Sequence, residues 1–168
     1  MARYPGAKWV GANPANYSAD RIHPVRFVVH IAQGSKLSGL IGWFNDPKAQ
    51  VSAHFGNPRG LFAKMVQFVD TSEMAYHCAQ WNSTSIGCEN IGYSGQSLSF
   101  GQKRRLKKLI KWLNATHNIP IAYTSNPNER GIIGHGKLPE GSLSHPNCPG
   151  EPVLVDVNII VHQLNRAA

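Results

Sequence analysis

Arg26-Phe27-Val28-Val29-His30-Ile31 is the stretch on which the fold turns: an apolar run, rich in β-branched residues, that ends beside a histidine. Such a run, too short for a helix and without polar alternation, reads as a strand buried on both faces of a sheet. A second short apolar run, Gly131-Ile132-Ile133-Gly134-His135, ends on a histidine in the same way. Cys148 lies shortly after it, in the turn Asn147-Cys148-Pro149-Gly150. Two imidazoles and a thiolate would fill three of zinc's four tetrahedral positions and leave one for water, the donor set of a catalytic site. More than a hundred residues separate His30 from His135, so spacing alone proves nothing and favours core or surface histidines and a free thiol.

Around the first strand, the chain alternates strand-like and helix-like segments. Residues 1–25, rich in Pro, Gly, Asn and Ala, show no period and read as an irregular arm. Lys36–Asn45 carries apolar residues at helical spacing and should stop at Asp46-Pro47, because proline disfavours a helical residue before it. Gln50–Phe55 and Leu61–Val69 read as a hairpin with its turn at residues 56–60, and Ser85–Gly92 as a further strand. Ser99-Phe100-Gly101-Gln102 matches a capping box. The helix it opens should run to about Ala115, burying Leu106, Leu109, Ile110 and Leu113. A last helix is expected from about Val155 to Asn165. The pattern predicts a single α/β domain, a central mixed sheet flanked by helices, with His30 and Glu89 near strand ends.

Composition narrows the function classes. The 168 residues suffice for one core without disulfide staples, and three cysteines are too few for a disulfide framework. No apolar run approaches the about eighteen residues of a membrane span, and the first residues lack the apolar region of a secretory signal. Synthesis in a reducing cytoplasm is therefore expected. The net charge is +8, with Lys103, Arg104, Arg105, Lys107, Lys108 and Lys111 concentrated on one helix. That strip suits a polyanion such as nucleic acid, anionic lipid or cell wall, or is a solvated helix face. It lacks interleaved aromatics and a helix-turn-helix, which argues against nucleic acid.

The segments Val51-Ser52-Ala53-His54-Phe55, Met65-Val66-Gln67, Ala75-Tyr76-His77 and Ser85-Ile86-Gly87-Cys88-Glu89 occur in that order, followed by Gly134-His135 and Cys148-Pro149-Gly150. This series resembles the zinc-dependent N-acetylmuramoyl-L-alanine amidases, a family shared by phage endolysins, wall-recycling amidases and peptidoglycan recognition proteins. The resemblance covers roughly residues 24–165. It implies a zinc ion on His30, His135 and Cys148 at strand ends in a surface groove, and Glu89 as the proton shuttle of an amide hydrolysis. Its implied substrate is peptidoglycan, cut between muramic acid and L-alanine; a monomer is the default expectation, and neither nucleic acid nor membrane is an expected partner. The missing signal sequence and the basic strip favour a phage endolysin whose Lys103–Lys111 helix meets anionic wall polymers. A muropeptide-recycling enzyme and a non-catalytic wall-binding module are the alternatives, and a binding module would have lost a ligand.

The sequence also departs from the family pattern. A tyrosine common before the position of His54 is Ala53 here. The lysine or histidine common two residues before the third ligand is Pro146, so His145, with Lys137 second, is the candidate for stabilising the oxyanion. By the same resemblance His54 and His77 line the groove floor, to bind substrate or support a ligand, with a packed, hydrogen-bonded histidine the equally open reading for each. Trp81 and Tyr93 are candidates for stacking on sugars, and Trp43 reads as core. Cys78 and Cys88 read as buried free thiols.

Overall fold

The computed structural model describes residues 2–167. Its centre is β3 (Arg26–Ile31), buried at every position because β7 (Ser85–Asn90) and β8 (Gly131–Gly134) pair with it in parallel on either side. The chain also forms β1 (Ala7–Trp9), β2 (Tyr17–Arg21), β4 (Phe55–Asn57), β5 (Met65–Gln67) and β6 (Glu73–Ala75). The main sheet has six strands in the order β1-β5-β4-β7-β3-β8, parallel except for β4 against β5. Among the described residues four α-helices complete the fold: α1 (Leu37–Asn45), α2 (Phe100–His117), α3 (Pro139–Ser144) and α4 (Glu151–Asn165). The expected α/β domain with a mixed sheet between helices is the fold observed. No helix among the described residues is long and apolar enough to cross a membrane.

Strand alternation divides the side chains between two layers. Phe27, Val29 and Ile31 of β3, with Ile86 and Cys88 of β7, pack against Leu106, Leu109 and Leu113 of α2 and Val153, Val157 and Ile160 of α4. On the other face α1 sets Leu40 and Phe44 against Val66, Phe68 and Ile91. Val28, Ile133, Cys78 and Leu138 form a small third cluster. His30 and Glu89, one step from the residues facing α2, are therefore turned to the opposite face.

Three expectations need correction. The first 25 residues are not an irregular arm: β1 adds to the sheet edge beside β5, and β2 pairs with β6. These short strands depend on partners more than fifty residues away, which local sequence does not reveal. The hairpin is shorter than expected, with only Phe55↔Gln67 and Gly56↔Val66 in register. Gly56 and Asn57 belong to β4 rather than to the turn, since they pair in parallel with Glu89 and Asn90 of β7. Finally, α4 begins four residues early, because Pro152 fits a first helical turn, where no donor is needed.

Candidate metal centre

His30, His135 and Cys148 come together at the carboxyl end of the sheet. The parallel register that sets Val29 against Gly134 brings His135, the next residue, beside His30, with ring centroids 4.5 Å apart. Cys148 arrives after α3. Its carbonyl accepts from Gly136 N–H and its own N–H donates to the His145 carbonyl, so the chain doubles back on His135. One donor atom from each of the three lies within 4.8 Å of the others, and Cys148 Sγ is 4.0 Å from His30 Nδ1. A tetrahedral zinc site has ligand separations of about 3.3–3.7 Å, so the trio fits with a small contraction.

Burial, with the Glu89 carboxylate beside it, pushes the Cys148 thiol up to about 12. A thiolate there therefore needs a cation in contact with the sulfur. Burial also lowers His135 to about 4 and His30 well below the ordinary imidazole range, keeping both rings neutral, the form that ligates.

His30 Nε2 lies 3.1 Å from His77 Nδ1, which leaves Nδ1 facing Cys148 and Glu89. His77 is itself seated by Asn82, whose Oδ1 accepts from the N–H groups of His77 and Cys78. Glu89 pairs with His30 in the sheet register, and its Oε1 is 3.9 Å from His30 Nδ1. Its side chain is 18% exposed, while Oε2 is buried without a hydrogen-bond partner. Burial pushes this carboxyl up to about 8, so it can hold a proton near neutral pH.

The surrounding groove, about 250 Å³, is lined by His30, Glu89, His135, Cys148, His77 and His145. Its apolar wall is Leu40, Trp43, Phe44, Val51 and Tyr76. Trp43 is not core: it is 59% exposed and stands on this wall. Tyr76 was missed as well, although its place beside His77 was the available signal.

The other candidates divide. His145 stacks on His135 with centroids 5.3 Å apart and shares a 2.8 Å contact between its Nδ1 and Ser144 Oγ. Lys137 is exposed and outside the groove lining. His54 is not on the groove floor but fully buried beneath it: Nδ1 accepts from Gly87 N–H, and Nε2 donates to the Glu73 carbonyl. Trp81 lies under the Arg26 guanidinium, 4.5 Å from ring centre to Cζ, packed on the third cluster and away from the groove. Tyr93 is exposed in a turn outside the groove. Cys78 and Cys88 are free and buried, and burial raises both thiols.

Comparison with known proteins bears on the family and on the fold. The N-acetylmuramoyl-L-alanine amidase family model matches residues 21–151. N-acetylmuramoyl-L-alanine amidase A of Achromobacter lyticus is 35% identical over 144 residues, covering 79% of this chain and 80% of that protein. Among solved structures, a selenomethionine derivative of AmpD aligns with a TM-score of 0.70 at 20% identity, over 94% of this chain and 96% of its own. The amidase LysC from Clostridium intestinale aligns with a TM-score of 0.69 at 16% identity, over 96% and 99%. At such identities the structural matches speak for the fold alone, whereas the family match spans most of the sequence. The chain thus belongs to the N-acetylmuramoyl-L-alanine amidase family of hydrolases.

Proposed function

We propose that the chain hydrolyses the amide between the lactyl group of N-acetylmuramic acid and L-alanine in peptidoglycan, with one zinc ion held by His30, His135 and Cys148. The convergence of those three donors beside Glu89, in a chain of this family, is the observation that carries the reading. When bound, zinc supplies Lewis acidity toward both the attacking water and the scissile carbonyl.

Glu89, whose Oε1 lies 3.9 Å from His30 Nδ1, takes the proton of the attacking water and delivers it to the departing amine. The second transfer matters as much as the first, since an unprotonated amine is a poor leaving group. His145, on the groove wall beside His135, donates to the developing oxyanion. Tyr76 is the phenol-bearing residue on the groove wall, where Ala53 leaves the family's usual tyrosine position without one. Trp43, Leu40 and Val51 give the substrate an apolar surface to lie against.

Lysis of intact wall, as by a phage endolysin, is favoured over recycling of soluble fragments by the net charge of +8, because the wall is a polyanion. Zinc content and lysis of purified walls, measured for wild type and Cys148→Ser, test the proposal. It expects about one zinc per chain, with zinc and lysis falling together in the variant. A zinc-free wild type that binds walls without cutting them would refute it.

A further inference from the structure

The basic segment of α2 is not one continuous surface. Arg105 is buried and spends its guanidinium inside the fold, donating to Asn57 Oδ1 and to the carbonyls of Pro58, Gly60 and Ala63. Lys103 is paired with Asp156 at 2.6 Å. Along the outer face remains an exposed stripe at helical spacing: Phe100, Arg104, Lys108 and Lys111.

Beside that stripe, residues 58–64 are fastened to the first turn of α2. Besides the Arg105 bonds, Ser99 Oγ donates to the Arg59 carbonyl. At Gly101 a Cβ would meet the Gly60 carbonyl oxygen at 2.8 Å and Leu61 Cα at 2.9 Å, so only glycine allows this approach. The pinned loop holds Phe62 89% exposed and Leu61 43% exposed, and Phe100, the residue before Gly101, is 72% exposed. A groove of about 220 Å³ between loop and helix is lined by Leu61, Phe62, Lys64, Arg104 and Lys108, and none of its lining residues is acidic.

Apolar side chains held out in water by a tied-down loop mark an interaction surface. A dissolved polyanion would engage the cations and leave Phe62, Phe100 and Leu61 in water. The surface of an anionic bilayer engages both sets, because apolar side chains enter the headgroup region while lysine and arginine meet lipid phosphates. We infer that this face docks the enzyme on an anionic lipid surface, in place of the wall polymer expected from the basic strip alone. Its groove shares no lining residue with the catalytic groove, so docking leaves the active site open.

Co-sedimentation of the full chain with vesicles of phosphatidylcholine, with or without phosphatidylglycerol, tests the inference. Binding is expected only where phosphatidylglycerol is present and should weaken as salt is raised. Phe62→Ser with Phe100→Ser, and separately Arg104→Gln with Lys108→Gln, should each lower vesicle partition at least about tenfold. Thermal unfolding and hydrolysis of a soluble muropeptide should not change. Absence of binding, equal binding to neutral vesicles, or full binding by the phenylalanine double variant overturns the inference. Equally tight binding to soluble poly(glycerol phosphate), indifferent to the phenylalanines, assigns the face to a wall polymer and overturns it too.

Discussion

His77, expected from the resemblance to line the groove floor or support a ligand, lies against His30 in the candidate metal centre. By occupying His30 Nε2 it fixes which nitrogen is left to face Cys148 and Glu89. Removing such a supporting bond costs about 10–100-fold in metal affinity, so His77→Ala should bind zinc that much more weakly in a chelator competition. Unchanged affinity would remove His77 from the centre. Glu89→Gln keeps the side-chain shape but cannot accept the proton; turnover should fall by about 10²–10⁴ with zinc retained. His145→Ala should lower turnover by about 10²–10³, also with zinc retained; loss of zinc would instead make His145 a ligand. The convergence of His30, His135 and Cys148 was legible from the family resemblance rather than from their spacing, which left a core histidine or a free thiol open. Of the two readings open for His54 the structure shows the packed one, and sequence could not choose because a histidine before a strand looks the same whether it faces a groove or the interior.

Among the elements, legibility followed how local the cause was. Ser99 and Gln102 form their reciprocal cap within one turn, so the start of α2 could be read from four residues. β1 exists only because Met65–Gln67 lies beside it, and nothing within Ala7–Trp9 says so. Gly87 in β7 is a sharper case, since a glycine inside a strand ordinarily weakens it. Alternation turns position 87 toward the metal side, where a Cβ would meet the His77 ring at 2.6–2.8 Å. The glycine is therefore the space in which the His77 imidazole sits. Gly87→Ala should displace that ring, weakening zinc binding in the same direction as His77→Ala and costing about 1–3 kcal/mol of stability. Urea unfolding alongside the chelator titration checks both, and an alanine variant with native zinc affinity would show that the ring has another place to go.

The molecule as a whole has built a set of neutral imidazoles into its interior, and that ties its stability to pH. Burial lowers His30, His54, His77 and His135 below the ordinary imidazole value. His54 is lowered to about 4 and has both ring nitrogens engaged with backbone, which requires one to accept and the other to donate. An imidazole depressed in the fold binds protons more tightly in the unfolded chain. Stability is therefore complete above about pH 6.5 and is lost as the pH falls from there toward 4. Shifted from 6.5 to about 4, His54 alone accounts for a loss on the order of 3 kcal/mol, a large share of an ordinary domain's stability. Urea unfolding with EDTA present, so that proton and zinc binding are not confounded, should give a free energy that declines between about pH 7 and 5. His54→Gln should begin less stable at neutral pH, having lost its backbone bonds. Its decline should then be shallower than wild type by up to about 1.4 kcal/mol per pH unit, the equivalent of one proton. Parallel slopes would mean that His54 takes up its proton without unfolding the chain, and the acid sensitivity would then belong to the histidines of the metal centre.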